Sequence, residues 1–147
     1  MKIKLAWIGK TKQPAIQMLT DEYLKRISRY VKVEATTLRD EAALMQPREP
    51  SRARPAPTLV LLDGRGKQLS SEEFAQFLAA QERRSAQPLL FAVGPANGFS
   101  DDSRKAASLT LSLGKMTLPH ELARVVLLEQ IYRAFTILKG HPYHVGH

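Results

Sequence analysis

The sequence predicts an open, mostly parallel α/β sheet with helices on both faces. Three observations carry that expectation. Short apolar runs alternate with stretches of helical periodicity along the chain. The central runs each close in a glycine-containing turn, as strands of a covered sheet do. The chain has 147 residues, the size of one domain whose core needs neither disulfide nor metal.

Residues 3–10, IKLAWIGK, mix alternation with a buried end and read as a first strand with Gly9 at its exit. Pro14 opens a helix, because a first-turn proline gives up no needed N–H. Ile16, Leu19, Tyr23, Leu24 and Ile27 continue its stripe to about Tyr30. VKVEATTL (31–38) alternates, is β-branched, and predicts a half-buried strand. The stretch 45–57, MQPREPSRARPAP, holds four prolines and three arginines, so no regular element is expected there. It is a basic loop or a phosphate-contacting arm.

TLVLLDGRGK (58–67) predicts a central strand, an apolar run closed by Asp63-Gly64 and Gly66. Ser70 and Glu73 then make a capping box for a helix whose apolar face is Phe74, Phe77 and Leu78. PLLFAVGPANG (88–98) repeats the design, and Ser100-Asp101-Asp102 starts a short helix to about Ala107. SLTLSLG (108–114) is a last strand. A helix follows from Pro119 to about Lys139 and stops at Gly140, with Pro142 forbidding continuation. The order is β-α-β-loop-β-α-β-α-β-α, with no internal repeat.

The chain contains no cysteine, which excludes disulfide frameworks, Cys-type zinc sites and thiol catalysis. The apolar run at the start, Leu5 to Ile8, is four residues long, too short for a signal segment or a membrane span. An intracellular, cytoplasmic protein with no membrane partner is expected. Lysine and arginine number 22 against 14 acidic residues, a net charge of +8. That excess points to a polyanionic partner. Lys2, Lys4, Lys10 and Lys12 crowd the first strand and its exit. Lys25, Arg26 and Arg29 cluster near the end of the first helix.

Ligands of open α/β sheets bind beyond the carboxyl ends of the strands. Three such ends here carry glycine: LLDGRGK, VGPANG and LSLGKMTLP. None is a phosphate-binding pattern; there is no GxxxxGK[ST] and no GxGxxG after a strand. A nucleoside ligand without polyphosphate fits better. Backbone groups would read its edge, with Leu62, Leu113, Met116 and Leu118 as apolar faces. Taken singly, each loop is a tight turn; together they predict a site.

LSLGKMTLPHELARVVLLEQIYRAF, followed by HPYH, closely resembles the RlmH family, small SPOUT-class methyltransferases that modify N3 of a pseudouridine in 23S ribosomal RNA. LLDGRGK and VGPANG stand in matching positions, so the likeness runs nearly end to end across a single SPOUT domain. The resemblance implies S-adenosyl-L-methionine as methyl donor, a homodimer, a C-terminal trefoil knot, and ribosomal RNA or the assembled ribosome as partner. By position it assigns the cofactor to Leu62, Gly94, Leu113, Gly114, Lys115, Met116, Thr117 and Leu118. It points to Tyr143, His144 and Arg133 for catalysis. Departures from the family pattern are Gly94-Pro95, where two glycines are common, a short proline-rich middle segment, and Val145 where a basic residue is common. Other readings are a SPOUT enzyme acting on another RNA and an RNA-binding protein without catalysis.

Several residues have plainer readings beside these. The last residues of a chain commonly fray. His141, His144 and His147 recur every third position, but with no independent fourth ligand a metal site is not expected. His120 reads as a packed or capping residue. Glu129 and Arg133 make an i,i+4 pair, and Arg124 is a candidate for RNA or partner contact. The last helix is apolar on nearly every side, which suggests that a second copy covers part of it.

Overall fold

A computed structural model describes residues 1–45, 56–84, 87–95 and 97–144. Most of the proline-arginine stretch, and Val145 to His147 of the tail, lie outside the described residues. The elements run β1 (Lys2–Ile8), α1 (Pro14–Ile27), β2 (Lys32–Leu38), α2 (Glu41–Leu44), β3 (Thr58–Gln68), α3 (Ser71–Arg84), β4 (Leu89–Val93), α4 (Asp101–Ala106), β5 (Leu109–Ser112) and α5 (His120–Leu138), and a 3-10 turn at Pro142–His144 closes the tail. The sheet has the order β2-β1-β4-β3-β5, and all four pairings are parallel.

Period-two alternation sends each strand's residues to two cores. Ile3, Leu5 and Trp7 of β1 and Leu89, Phe91 and Val93 of β4 enter the larger one with Val60. There they meet α3 through Phe74 and Leu78, and α5 through Leu127, Leu128, Ile131 and Phe135. Ala6, Ile8, Leu61 and Ala92 face the other way. Phe99 packs on them, with Leu44 of α2 and Ala107 at the end of α4 in support.

The predicted helix ends form for the expected reasons. Ser70 and Glu73 close a reciprocal box: the Ser70 N–H donates to Glu73 Oε1 at 2.8 Å and the Glu73 N–H to Ser70 Oγ at 3.0 Å. The end of α5 is a Schellman motif. Gly140, at φ +70°, donates to the Ile137 carbonyl and His141 to that of Thr136.

Four expectations need correction. β3 is not closed by Asp63-Gly64 and Gly66 but continues to Gln68, because a register shift lets Leu111 face both Leu62 and Lys67. β2 is an edge strand, so five of its seven residues are exposed rather than half of them. A short extra helix, α2, is capped by Asp40, which accepts from the Ala43 N–H at 2.9 Å. The apolar girth of α5 is used mostly inside the chain, since α1 and α3 flank it while the sheet lies beneath. Leu122 remains the one large α5 hydrophobic that is exposed.

Candidate active site

The middle of β3, at Leu62 to Arg65, and the carboxyl ends of β4 and β5 open onto one cavity of about 360 Å³. All eight residues assigned to the cofactor line it: Leu62 from β3, Gly94 after β4, and the run Leu113, Gly114, Lys115, Met116, Thr117, Leu118 after β5. The three glycine loops are thus walls of one space.

The loop after β5 is built to leave its backbone open. Ser112 Oγ donates to the Gly114 carbonyl at 2.9 Å and accepts from the Gly114 N–H at 3.2 Å, so a single side chain closes the turn. Gly114 sits at φ +149°, a conformation that L side chains rarely adopt. Beyond it, the backbone N–H groups of Lys115 to Leu118 find no hydrogen-bond partner among the described residues. A row of unspent donors and acceptors beside a cavity is what a flat heterocycle's edge requires. Met116, 87% exposed, and the half-buried Leu118 border it with apolar surface.

Opposite this loop, Asp63 and Arg65 lock two walls together. The Asp63 carboxylate accepts from the Arg65 side chain at 2.9 and 3.0 Å, and from the backbone N–H groups of Arg65 at 2.9 Å and Phe99 at 3.1 Å. Arg65 also donates to the Phe99 carbonyl at 2.8 Å. The Arg65 guanidinium, with those two backbone donors, holds the Asp63 carboxyl well below the ordinary carboxylate range. It is an anchor and not a base. Gly94 is required by the same wall, because a Cβ there would lie 2.9 Å from the Phe99 ring.

Asp63, Arg65, Gly98 and His120 are cavity residues that sequence reasoning did not assign. Their DG and NG pairs lie in segments that the sequence marks as parts of a site, without singling out these side chains. Of the packed and capping readings of His120, the capping one is overturned: the N-cap of α5 is Pro119, with no side-chain cap, and His120 lines the cavity. Arg124 is corrected as well. It is fully buried and donates to the carbonyls of Ile8 and Gly9, so it is not a surface contact for RNA or a partner.

Arg133, Tyr143 and His144 form a second cluster, apart from the cavity lining. Arg133 donates to Glu129 Oε1 at 2.8 Å through Nε, the predicted i,i+4 pair. The Tyr143 hydroxyl donates to the same oxygen at 3.2 Å, and its ring packs edge-on to Tyr132 at 4.7 Å. Burial, helped by Tyr23 and Glu129, pushes the Tyr143 phenol up, so it stays a neutral donor. His144 Nδ1 lies 2.8 Å from Arg133 Nη1, and Nε2 lies 2.8 Å from Glu72 Oε1. A guanidinium only donates, so Nδ1 accepts and the ring proton resides on Nε2. Tyr143 and His144 are therefore docked on α5 and α3. Among the described residues of one chain, neither lines the cavity. Among the described residues, no three His, Asp or Glu groups are placed to hold a metal, and no helix is long and apolar enough to cross a membrane.

The model of the family described as "Predicted SPOUT methyltransferase" matches residues 1–144. The chain is 56% identical to the ribosomal RNA large subunit methyltransferase H of Koribacter versatilis (strain Ellin345), covering all of both chains. It is 44% identical to the protein of that name from Geotalea daltonii, over 98% of this chain and 99% of the relative. Among solved structures, a probable methylase family protein from Haemophilus influenzae Rd KW20 superposes with a TM-score of 0.58. It covers 96% of this chain and 67% of its own at 9% identity, a likeness of fold. With the glycine loops walling one cavity and a family match across nearly the whole length, this chain belongs to the SPOUT methyltransferase family.

Proposed function

We propose that this protein is a cytoplasmic, single-domain methyltransferase that transfers a methyl group from S-adenosyl-L-methionine to N3 of a pseudouridine in 23S ribosomal RNA. The observation that carries the reading is the loop after β5, which offers unpaired backbone groups to one cavity shared with the middle of β3 and the end of β4. The names of the full-length relatives support the ribosomal substrate.

The residues present suit the cofactor. The backbone of Lys115 to Leu118 would hold an adenine edge, Leu62 and Leu118 its faces, and Gly94 would let the ligand approach the β4 end closely. S-adenosyl-L-methionine supplies a methyl carried on a sulfonium, an electrophile that needs no activation by metal. The protein's task is alignment of the nucleophile with that methyl, the main source of rate in a displacement of this type. The N3 position also carries a proton that must leave.

Arg133, Tyr143 and His144 are the groups we assign to the nucleotide. They do not share a cavity with the cofactor residues of their own chain, so the reading includes a homodimer in which the tail cluster of one copy completes the pocket of the other. The exposed apolar side chains of Met116 and Leu122, on the loop and helix that border the cavity, support a covering surface there. His144, held between Glu72 and Arg133, orients Arg133. A trefoil knot through the loop after β5 belongs to the same reading.

Calorimetric titration with S-adenosyl-L-methionine and S-adenosylhomocysteine tests it. Binding of either at no more than one per chain is expected. Absence of binding, both to the protein alone and with ribosomes present, overturns the reading.

A further inference from the structure

Arg124 is the largest side chain completely removed from solvent. It has no carboxylate partner within ion-pair distance among the described residues. Its guanidinium donates to the Ile8 carbonyl at 3.0 Å, the Gly9 carbonyl at 2.9 Å and Thr11 Oγ1 at 3.1 Å, and lies 5.7 Å from the Trp7 ring centroid. Burying such a cation is costly, and an apolar residue would fill the space more cheaply. Three residues earlier, Glu121 Oε1 accepts from the backbone N–H groups of Lys12 at 2.8 Å and Gln13 at 3.1 Å, which also serves the uncapped start of α1. One turn of α5 therefore holds loop 9–13 by the backbone of Gly9, Lys12 and Gln13 and by the Thr11 hydroxyl. What the buried arginine secures is the shape of that loop.

The loop carries Lys10 and Lys12, both exposed and with no ion pair among the described residues. Lys2 and Lys4 on the same strand, by contrast, are paired with Glu34. The free lysines are the ones at the cavity end. β1 lies beside β4 with Trp7 opposite Val93, and Val93 and Gly94 line the cavity. His120 and Ala123, from the same turn of α5 as Glu121 and Arg124, line it too.

We propose that loop 9–13 is a preorganised clamp for RNA backbone phosphates beside the nucleotide that enters the cavity. Lys10 and Lys12 make the contacts, and Arg124 and Glu121 are positioning residues that hold the loop in its bound shape. Ammonium groups are compact point charges suited to phosphodiester oxygens. A loop fixed in advance loses less entropy on binding than a mobile one. The inference rests on the proposed RNA methyltransferase reading.

The test is methyl transfer to ribosomes and ribosome binding across salt concentration, for the wild type, Lys10→Ala/Lys12→Ala and Arg124→Lys. Both lysines are exposed, so the double variant is expected to fold as the wild type does. Its KM for ribosomes should rise roughly tenfold, and its slope of log affinity against log salt should shrink by about 1.5, the loss of two phosphate contacts. Affinity for S-adenosyl-L-methionine and kcat at saturating ribosomes should hold. Arg124→Lys keeps the charge but not the three-way grip, and should raise KM in the same direction. An unchanged KM and salt slope in the double variant overturns the clamp. A fall in S-adenosyl-L-methionine affinity also overturns it, by assigning the lysines to the cofactor. If Arg124→Lys lowers thermal stability and leaves KM alone, the positioning role is overturned. Failure of the wild type to methylate ribosomes at all would refute the functional reading itself, and is read separately from these comparisons.

Discussion

Gly66 and Gly64 stand two residues apart in β3, and the structure predicts opposite outcomes for the same substitution. A Cβ on Gly66 would lie 2.5 Å from the Thr110 carbonyl oxygen, 2.6 Å from its carbon and 2.8 Å from the Leu111 nitrogen. All three are backbone atoms of β5, so no side-chain rotation relieves the overlap. The strands must separate where the register shift between Leu62 and Lys67 already strains the pairing. Overpacking costs about 1–3 kcal/mol, and a backbone obstacle places Gly66→Ala near the upper end. For a chain of this length each kcal/mol moves Tm by about 2–4 °C, so a fall of about 6–12 °C is expected. Gly64 has nothing within 4 Å of its Cβ position and no positive φ. Gly64→Ala should therefore stay within about 1 kcal/mol of the wild type, on either side. Thermal unfolding followed by circular dichroism measures both. Gly66→Ala should also weaken S-adenosyl-L-methionine, because Asp63 and Arg65 of the same bulge wall the cavity. Equal Tm values for the two variants would refute the reasoning, since only the Thr110–Leu111 backbone distinguishes them.

Gly114→Val should weaken S-adenosyl-L-methionine through backbone strain rather than crowding: φ is +149°, and nothing lies within 4 Å of the added Cβ. Unchanged affinity would place the pocket elsewhere. His144→Ala should leave cofactor affinity intact and slow methyl transfer by roughly tenfold or more, through loss of Arg133's orientation; equal turnover removes His144 from the mechanism. Asp63 sets an acid limit. Its folded pKa lies below the unfolded value of about 3.9, so its contribution to stability is complete above that pH and is lost as pH falls from there toward the folded pKa. Asp63→Asn should lower stability at neutral pH and flatten the acid limb of the Tm–pH curve. A parallel downward shift of the whole curve would contradict that assignment.

The features legible in the sequence are local ones. The capping box at Ser70, the Schellman glycine at Gly140 and the proline at the start of α1 depend on residues a few positions apart, and all formed as read. The three glycine loops were legible as a group because strand ends of a parallel sheet share one edge. What escaped was settled by distant partners. The extension of β3 past Asp63 depends on a second pairing with Leu111 and Ser112, which no period-two pattern announces. Arg124 looked like a surface cation because its acceptors are carbonyls more than a hundred positions away. The surplus apolar face of α5 seemed to ask for a second copy, yet α1 and α3 use most of it. The docked tail was obscured for a related reason. Tyr143 and His144 sit where chains commonly fray, and partners on other elements, Glu129, Tyr132 and Arg133 of α5 and Glu72 of α3, hold them in place.

The most direct test of the central claim is to incubate the purified protein with S-adenosyl-L-methionine and ribosomes lacking the modification, then map the methylated nucleotide by mass spectrometry. One methyl per large-subunit RNA is expected, at N3 of a pseudouridine. Methyl transfer to a different base or a different RNA, or none from protein that binds the cofactor, would contradict it.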